Sequence, residues 1–428
     1  MRVGVLEELR RRVEEMERRG GQGGRGVAST STFASPSRST VSLTGTGTGA
    51  GGAMRLEEIP GATREEDGVV VVRAVVPAEE RVGRVAPADA LVGSVEVAGA
   101  LAGLGPEVPK DLLQGVRVLD LETTGLAGGA GTLAFLVGVA RFAGDGALVV
   151  EQLVLSRPSV ESKMLARLDG LLEGATLLVT FNGKAFDVPL LRTRCVLTRR
   201  SAGRLEAVPH LDLLGVARRL WRGRGDDCRQ ITLEERVLGR RRSDDLPGAM
   251  APAAYATWLT VGDAGPLARV VEHNRDDLVG AMALLVAALR THEDPLTWAE
   301  DDSELLAVAE HRLRRAGPAA AVPLLTLVAE RARGGRVLRR ALARLAYAER
   351  RTGQFDAARR TWERYRARFP AENLGHLEVA KLLEHRVCDP EAALAAARAA
   401  PQPEDDGVAL RLERLARKVA AGRGPAAR

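Results

Sequence analysis

Cysteine is nearly absent from this 428-residue sequence: Cys195, Cys228 and Cys388 are the only three, widely separated and without CxxC spacing. An odd, scattered set argues against a disulfide framework or a cysteine-built zinc site and fits a reducing compartment. Lysine is almost as scarce, with only Lys110, Lys163, Lys184, Lys381 and Lys418. The formal charge of +6, from 62 basic and 56 acidic residues, is therefore carried by arginine. It favours a polyanionic partner only mildly, because the arginine excess runs through the whole composition. Aromatic residues are few at 3%, and only Trp221 interleaves with the arginines that follow residue 190. That argues against single-strand binding by aromatic platforms. No apolar run reaches the roughly 18 residues of a membrane span. The opening MRVGVLEELRRRVEEMERR has no apolar signal-peptide segment, so a soluble cytoplasmic protein without a membrane partner is expected.

What is present suffices for two or three domains with a sizeable core, at 45% hydrophobic residues. Residues 1–19 carry Val5, Leu6, Leu9, Val13 and Met16 at helical spacing and predict an amphipathic helix. Residues 20–54 are Gly-, Ser- and Thr-rich, with too little burial to offset chain entropy, and predict a disordered linker. Residues 55–114 form an N-terminal extension, partly β, with VVVVRAVV as its strand. From 115 to 292 the pattern is α/β. VRVLDL, LAFLVGVARF, ALVVEQLVL and ATLLVTF read as strands, with helical periodicity at 161–173, 187–198, 211–221 and 266–290. A mixed sheet flanked by helices follows.

Beyond Asp294-Pro295 the chain turns to Ala, Leu and Arg, and residues 300–420 read as an all-α helical-repeat domain. Placing Gly317, Gly353 and Val387 at inter-helix turns gives a period of about 34 to 36 residues. Leu342, Leu345, Ala346, Gly353, Ala358, Trp362 and Pro370 resemble the tetratricopeptide pattern. Such a module would dock a protein partner; an alanine-rich tail with chance periodicity is the alternative.

The chemistry lies in acids at the ends of the α/β elements. In VLDLETTGL, Asp120 and Glu122 stand two apart on an apolar strand, so both carboxylates face one side. Acids ending a buried strand are costly to desolvate unless compensated, as by a divalent cation with oxygen ligands; a solvated loop start is the bland reading. In FNGKAFDVPLL, Asn182 sits in a glycine-containing turn, Phe186 is expected to anchor the next helix, and Asp187 begins that helix. An N-cap is the commoner role for such an Asp. In VVEHNRDDLVGAMALL, Asp276 and Asp277 enter a strongly apolar helix. His273 shares a face with Asp277 at i, i+4, which ranks Asp277 above Asp276 as the inward-facing acid.

Together these elements resemble the DEDD superfamily of ribonuclease-H-like 3′–5′ exonucleases, whose motifs are DxE, Nx₃(F/Y)D and a late-helix Asp. DLETTGLAGGAGTLAFLVGVARF, FNGKAFDVPLL, PHLDLL and LEERVLGRRRSDDLPG look more narrowly like the YprB-type ribonuclease-H-like family over roughly residues 115 to 290. The third motif departs from pattern: His273 precedes Asp277 by four, the spacing of a tyrosine branch with a histidine side chain. The resemblance implies that Asp120, Glu122, Asp187 and Asp277 hold two divalent cations, Mg²⁺ or Mn²⁺, about 4 Å apart for phosphodiester hydrolysis. It also implies His273 as general base, with packing as its alternative role. Thr123, Thr124, Gly125 and Leu126, followed by Gly128 and Gly129, would meet the terminal nucleotide, with Asn182 and Lys184 near its phosphate. Asp276, His210 and Asp212 are second-tier. Arg192, Arg194, Arg199, Arg200, Arg204, Arg218, Arg219, Arg222, Arg224 and Arg240 to Arg242 would neutralise phosphates or form a solvated face. The expected partner is DNA or RNA at a single-stranded 3′ end. A nucleic-acid-binding scaffold with a weak or inactive nuclease fold is the alternative.

Overall fold

The computed structural model describes residues 53–125, 131–225, 227–242 and 250–422. The expected N-terminal helix and all but the last two residues of the expected linker lie outside these. Met54, assigned to the linker by composition, is anchored instead: its N–H donates to Asp263 Oδ1 at 3.1 Å and its carbonyl accepts from Ala264. Among the described residues no helix is long and apolar enough to cross a membrane. Two compact units divide the chain between Glu293 and Asp294.

The first unit is built on a seven-stranded mixed sheet in the order β1-β2-β5-β4-β3-β6-β7. The strands are β1 Ala62–Arg64, β2 Val70–Val76, β3 Val116–Thr123, β4 Ala134–Phe142, β5 Leu148–Val154, β6 Leu177–Thr180 and β7 His210–Asp212. β3, β4 and β5 are antiparallel neighbours, while β6 and β7 add in parallel on the other side of β3. The N-terminal extension joins this same sheet: β2 pairs along its whole length with β5, and β1 with β2.

Alternation fixes the two faces of β3. Leu119 and Leu121 point into a core that also holds Phe135, Val137, Met164, Leu168, Leu191 and Tyr255. Asp120 and Glu122 point the other way. The core side chains come partly from helices α1 Glu161–Leu171, α2 Asp187–Leu197 and, later, α4 Ala251–Val261. Tyr255 stacks on Phe135, centroids 4.5 Å apart and nearly coplanar. Between α2 and α4 lies α3 Leu213–Leu220, capped by the Asp212 side chain. The 29-residue α5, Gly265–Glu293, packs across β3, β4 and β5. Its centre from Leu278 to Leu289 is buried throughout, as expected for so apolar a run.

Glycine allows that close approach at one point. Gly138 lies directly opposite Asp120 in the β3–β4 ladder, and a Cβ there would stand 2.2 Å from Asn274 Oδ1 and 2.6 Å from Leu278 Cδ1 of α5.

The second unit is all-α. Helices α6 Asp302–Arg315, α7 Pro318–Arg331, α8 Gly335–Arg351, α9 Phe355–Arg368, α10 Asn373–Leu382, α11 Pro390–Arg398 and α12 Asp406–Gly422 follow one another, each packed on the next. Gly317 and Gly353 take left-handed turns at φ 84° and 77°. At the third expected turn the left-handed residue is Cys388, φ 61°, one residue past the expected Val387. Trp362 is fully buried, edge-on to Tyr347 and Tyr365.

Candidate active site

The site assembles where β3 loses its regular pairing. A register shift between Glu122 and Thr123 ends the even ladder with β4 just after the two acids. Helix α5 crosses the face onto which they project, and it brings Asn274, His273 and Asp277. Asn274 is completely buried; its Nδ2 donates to Asp120 Oδ2 at 2.7 Å, and its Oδ1 accepts from Gln152 Nε2 at 2.8 Å. Gln152, buried on β5, also donates to the Val271 carbonyl at 2.7 Å. Asp120 is thus held by a relay of two amides reaching across the sheet. His273 Nε2 lies 3.3 Å from Asp277 Oδ2 and 4.0 Å from Glu122 Oε1. One ligand atom from each of Glu122, His273 and Asp277 falls within 4.8 Å of the others.

Asp187 enters from the second motif. After β6, Asn182 adopts a left-handed turn at φ 69°. The Asp212 carboxylate fixes this turn by accepting from Asn182 N at 2.8 Å and Lys184 N at 3.1 Å. A second-tier residue is therefore a brace, and the same carboxylate accepts from Leu214 N to start α3. His210 Nε2 meets Thr180 Oγ1 at 2.8 Å. Burial and then Lys184 depress its pKa to about 4, against Asp212, so it is neutral at ordinary pH. Phe186 does not anchor the helix: it is 59% exposed, because the turn swings it outward as Asp187 turns in.

The acids are electrostatically frustrated. Burial, then Asp277, Asp187 and Glu122, push the Asp120 pKa far above the ordinary carboxylate range, opposed by the Asn274 hydrogen bond. Burial, then Asp212 and Asp277, raise Asp187 to about 7. Burial raises Asp277 as well, against the pull of Arg242 and His273. Among the described residues no basic side chain forms an ion pair with Asp120 or Asp187. Crowded carboxylates of this kind, with oxygen ligands on three elements, match the donor set a divalent cation takes.

Neighbours separate Asp276 from Asp277. Asp276 turns aside to Arg240 at 2.9 Å, while Asp277 faces His273 and receives Arg242 at 2.6 Å. Just past β3 the Thr124 N–H donates to the Leu133 carbonyl, the Thr124 hydroxyl accepts from Leu133 N–H, and the Thr123 hydroxyl donates to Gly125 O. The Thr124 amide is accordingly not available to a phosphate; Leu126, Gly128 and Gly129 lie outside the described residues.

Several arginines read as phosphate contacts serve the fold instead. Arg194 is buried and grips Glu161 of α1 with two donors. Arg192 pairs with Glu206, and Arg204 with Asp169. Trp221, 1% exposed, has no face open to a base. Arg218 and Arg222, by contrast, line a cleft of ≈ 720 Å³ with Phe181, Asn182, Leu214, Arg229 and Gln230. Asn182 and Gln230 join this cleft to the acids, since Gln230 Nε2 donates to the Asp277 carbonyl at 2.7 Å.

Residues 118–289 match the family model described as the RNase_H superfamily. This is a ribonuclease-H-like domain. Over 171 residues the chain is 39% identical to the uncharacterized protein YprB of Bacillus subtilis (strain 168), which is 39% of this chain and 40% of that protein. The chain thus spans about two-fifths of the length of the curated relative it matches. In the ribonuclease-H-like domain the three acidic elements sit on β3, at the start of α2 and on α5. Asn274, Gln152, Gln230 and Glu234 belong to the same neighbourhood and were not singled out by sequence; Arg242, read there as a phosphate contact or a solvated residue, is instead bound to Glu234 and Asp277. The available signals were faint: a glutamine inside an apolar strand, an asparagine on the buried stripe of a helix, and a glycine in mid-strand.

Proposed function

We propose that this domain is a metal-dependent nuclease that cleaves DNA or RNA from a single-stranded 3′ end. The reading rests on one observation: Glu122, His273 and Asp277 bring ligand atoms within 4.8 Å of one another, and Asp120 and Asp187 lie near enough to Asp277 to feel its charge. Asp120, Glu122, Asp187 and Asp277 would hold two Mg²⁺ or Mn²⁺ ions. When bound, such ions supply Lewis acidity at the phosphate and charge balance for the departing oxygen.

The chain's own residues do the rest. The Gln152–Asn274 relay holds Asp120 against repulsion from its neighbours. His273, beside Asp277 and Glu122, is the proposed base: it takes the proton of the water whose oxygen attacks phosphorus, and the 3′ oxygen leaves with the bonding pair. The cleft beside Asn182 gives the strand an apolar floor at Phe181 and Leu214 and a cationic rim at Arg218 and Arg222, with Arg229 paired to Asp227. The all-α unit, tetratricopeptide-like in pattern, is proposed to dock a protein partner.

The test uses single strands labelled at either end with Mg²⁺ or Mn²⁺ present. Stepwise shortening from the 3′ end is expected, and Asp120→Ala and Asp187→Ala should abolish it. Cleavage that survives both substitutions sinks the reading.

A further inference from the structure

The segment LEERVLGRRR, residues 233–242, contributes no ligand to the proposed cation site, yet it surrounds Asp277. A π-helical turn, Glu234–Leu238, inserts Glu234 beneath α5, and such turns are frequent at functional sites. Glu234 is completely buried. Its space comes from Gly280, where a Cβ would stand 1.9 Å from Glu234 Oε1. Oε1 accepts from Gln230 at 3.0 Å and from Arg242 NH2 at 2.5 Å; Oε2 accepts from Arg240 at 2.7 Å and Arg242 Nε at 3.0 Å. The Arg242 side chain is only 3% exposed. From this fixed fork NH2 also donates to Asp277 Oδ1 at 2.6 Å, while Arg240 donates to Asp276.

We propose that Glu234 and Arg242 form a buried clamp that positions Asp277, holding Oδ1 so that Oδ2 is presented beside His273 and Glu122 to a divalent cation. This rests on the reading of Asp277 as a cation ligand. Two guanidinium groups face three carboxylates, Glu234, Asp276 and Asp277, so the clamp orients Asp277 without cancelling its charge. Hydrogen-bonded partners of ligating carboxylates typically alter metal affinity or activity by about 10- to 100-fold when removed. Arg242 is thus a positioning residue, and burial on Glu234 distinguishes it from the exposed arginines of the cleft.

The experiment measures three quantities on the full chain: Mn²⁺ affinity by electron paramagnetic resonance of the free ion, thermal stability, and kcat separately from KM on a labelled single strand. Arg242→Gln should weaken Mn²⁺ binding about tenfold or more and lower kcat, with KM for the strand near wild type. Arg242→Lys keeps the charge but loses the fork, and should fall between the two. Folded Arg242→Gln with unchanged or tighter Mn²⁺ binding overturns the clamp, as does a rise in KM alone, which would make Arg242 a phosphate contact. If Arg242→Gln does not fold, Arg242→Lys decides by its Mn²⁺ affinity alone: wild-type binding overturns the clamp. Wild-type protein that binds Mn²⁺ but cleaves neither DNA nor RNA defeats the nuclease reading while leaving the clamp testable.

Discussion

Asp276 and Asp277 are adjacent in the chain, yet one is tied to Arg240 and the other turned to His273 and Glu122. Asp277→Asn is therefore expected to lower kcat by about 100-fold or more, as loss of a ligating carboxylate does. Asp276→Asn breaks a partly exposed pair worth less than about 1 kcal/mol, and cleavage should stay near wild type. Equal losses in the two variants, read on the same labelled strand, would count against the assignment. The helical i, i+4 relation put His273 and Asp277 on one face, and they lie 3.3 Å apart. The amides behind Asp120 were not legible in the sequence, because Gln152 and Asn274 meet across 122 positions of chain and only folding pairs them. Titration gives a second prediction. Asp187 has its pKa raised to about 7 in the folded chain. Its stabilising contribution is complete below the unfolded value, about 3.9, and is lost as pH rises through the folded one. Cation-free protein should accordingly lose stability from this group between those values. Because a cation replaces the proton, Mn²⁺ should raise Tm more at pH 8 than at pH 5. An equal gain at both, measured by thermal melts with chelator as reference, contradicts this.

At the scale of elements, strands and helices were largely readable because β3, β4 and β5 alternate or run apolar and α5 carries an unbroken apolar stripe. The arginine-rich stretch misled, since charge alone does not reveal which guanidinium has an acid waiting on a neighbouring helix. Arg194 belongs to Glu161 and ties α2, with Asp187 at its head, to α1. Arg218, at the end of α3, and Arg222 in the turn that follows line the cleft instead. Reversing both to glutamate should weaken single-strand binding and flatten its logarithmic salt dependence by about 0.7 for each phosphate that is no longer neutralised. Titrations of an Asp120→Asn protein across a range of salt, which keep the strand intact, measure this. A weakened but equally steep dependence would place the strand elsewhere.

For the whole molecule, each unit has its own interior, the first around the sheet and the second around residues such as Leu342, Ala346 and Trp362. Calorimetry of the intact chain should show two transitions. Trp362→Ala removes a fully buried ring, at a cost of about 3–5 kcal/mol, and should lower only one transition; Mn²⁺ should raise only the other. A single transition that moves with both treatments is the contrary result. Composition and periodicity revealed the change of architecture after Asp294. They did not reveal that the N-terminal extension completes the same sheet, because strand pairing between β2 and β5 leaves no trace in either segment alone. That completion also settles how the sheet ends. Its outermost strands, β1 and β7, are each three residues long, one carrying Arg64 bound to Glu57 and the other His210 and Asp212. A long bare margin would be a template for a second chain. Outer strands this short and polar offer a second copy little to extend.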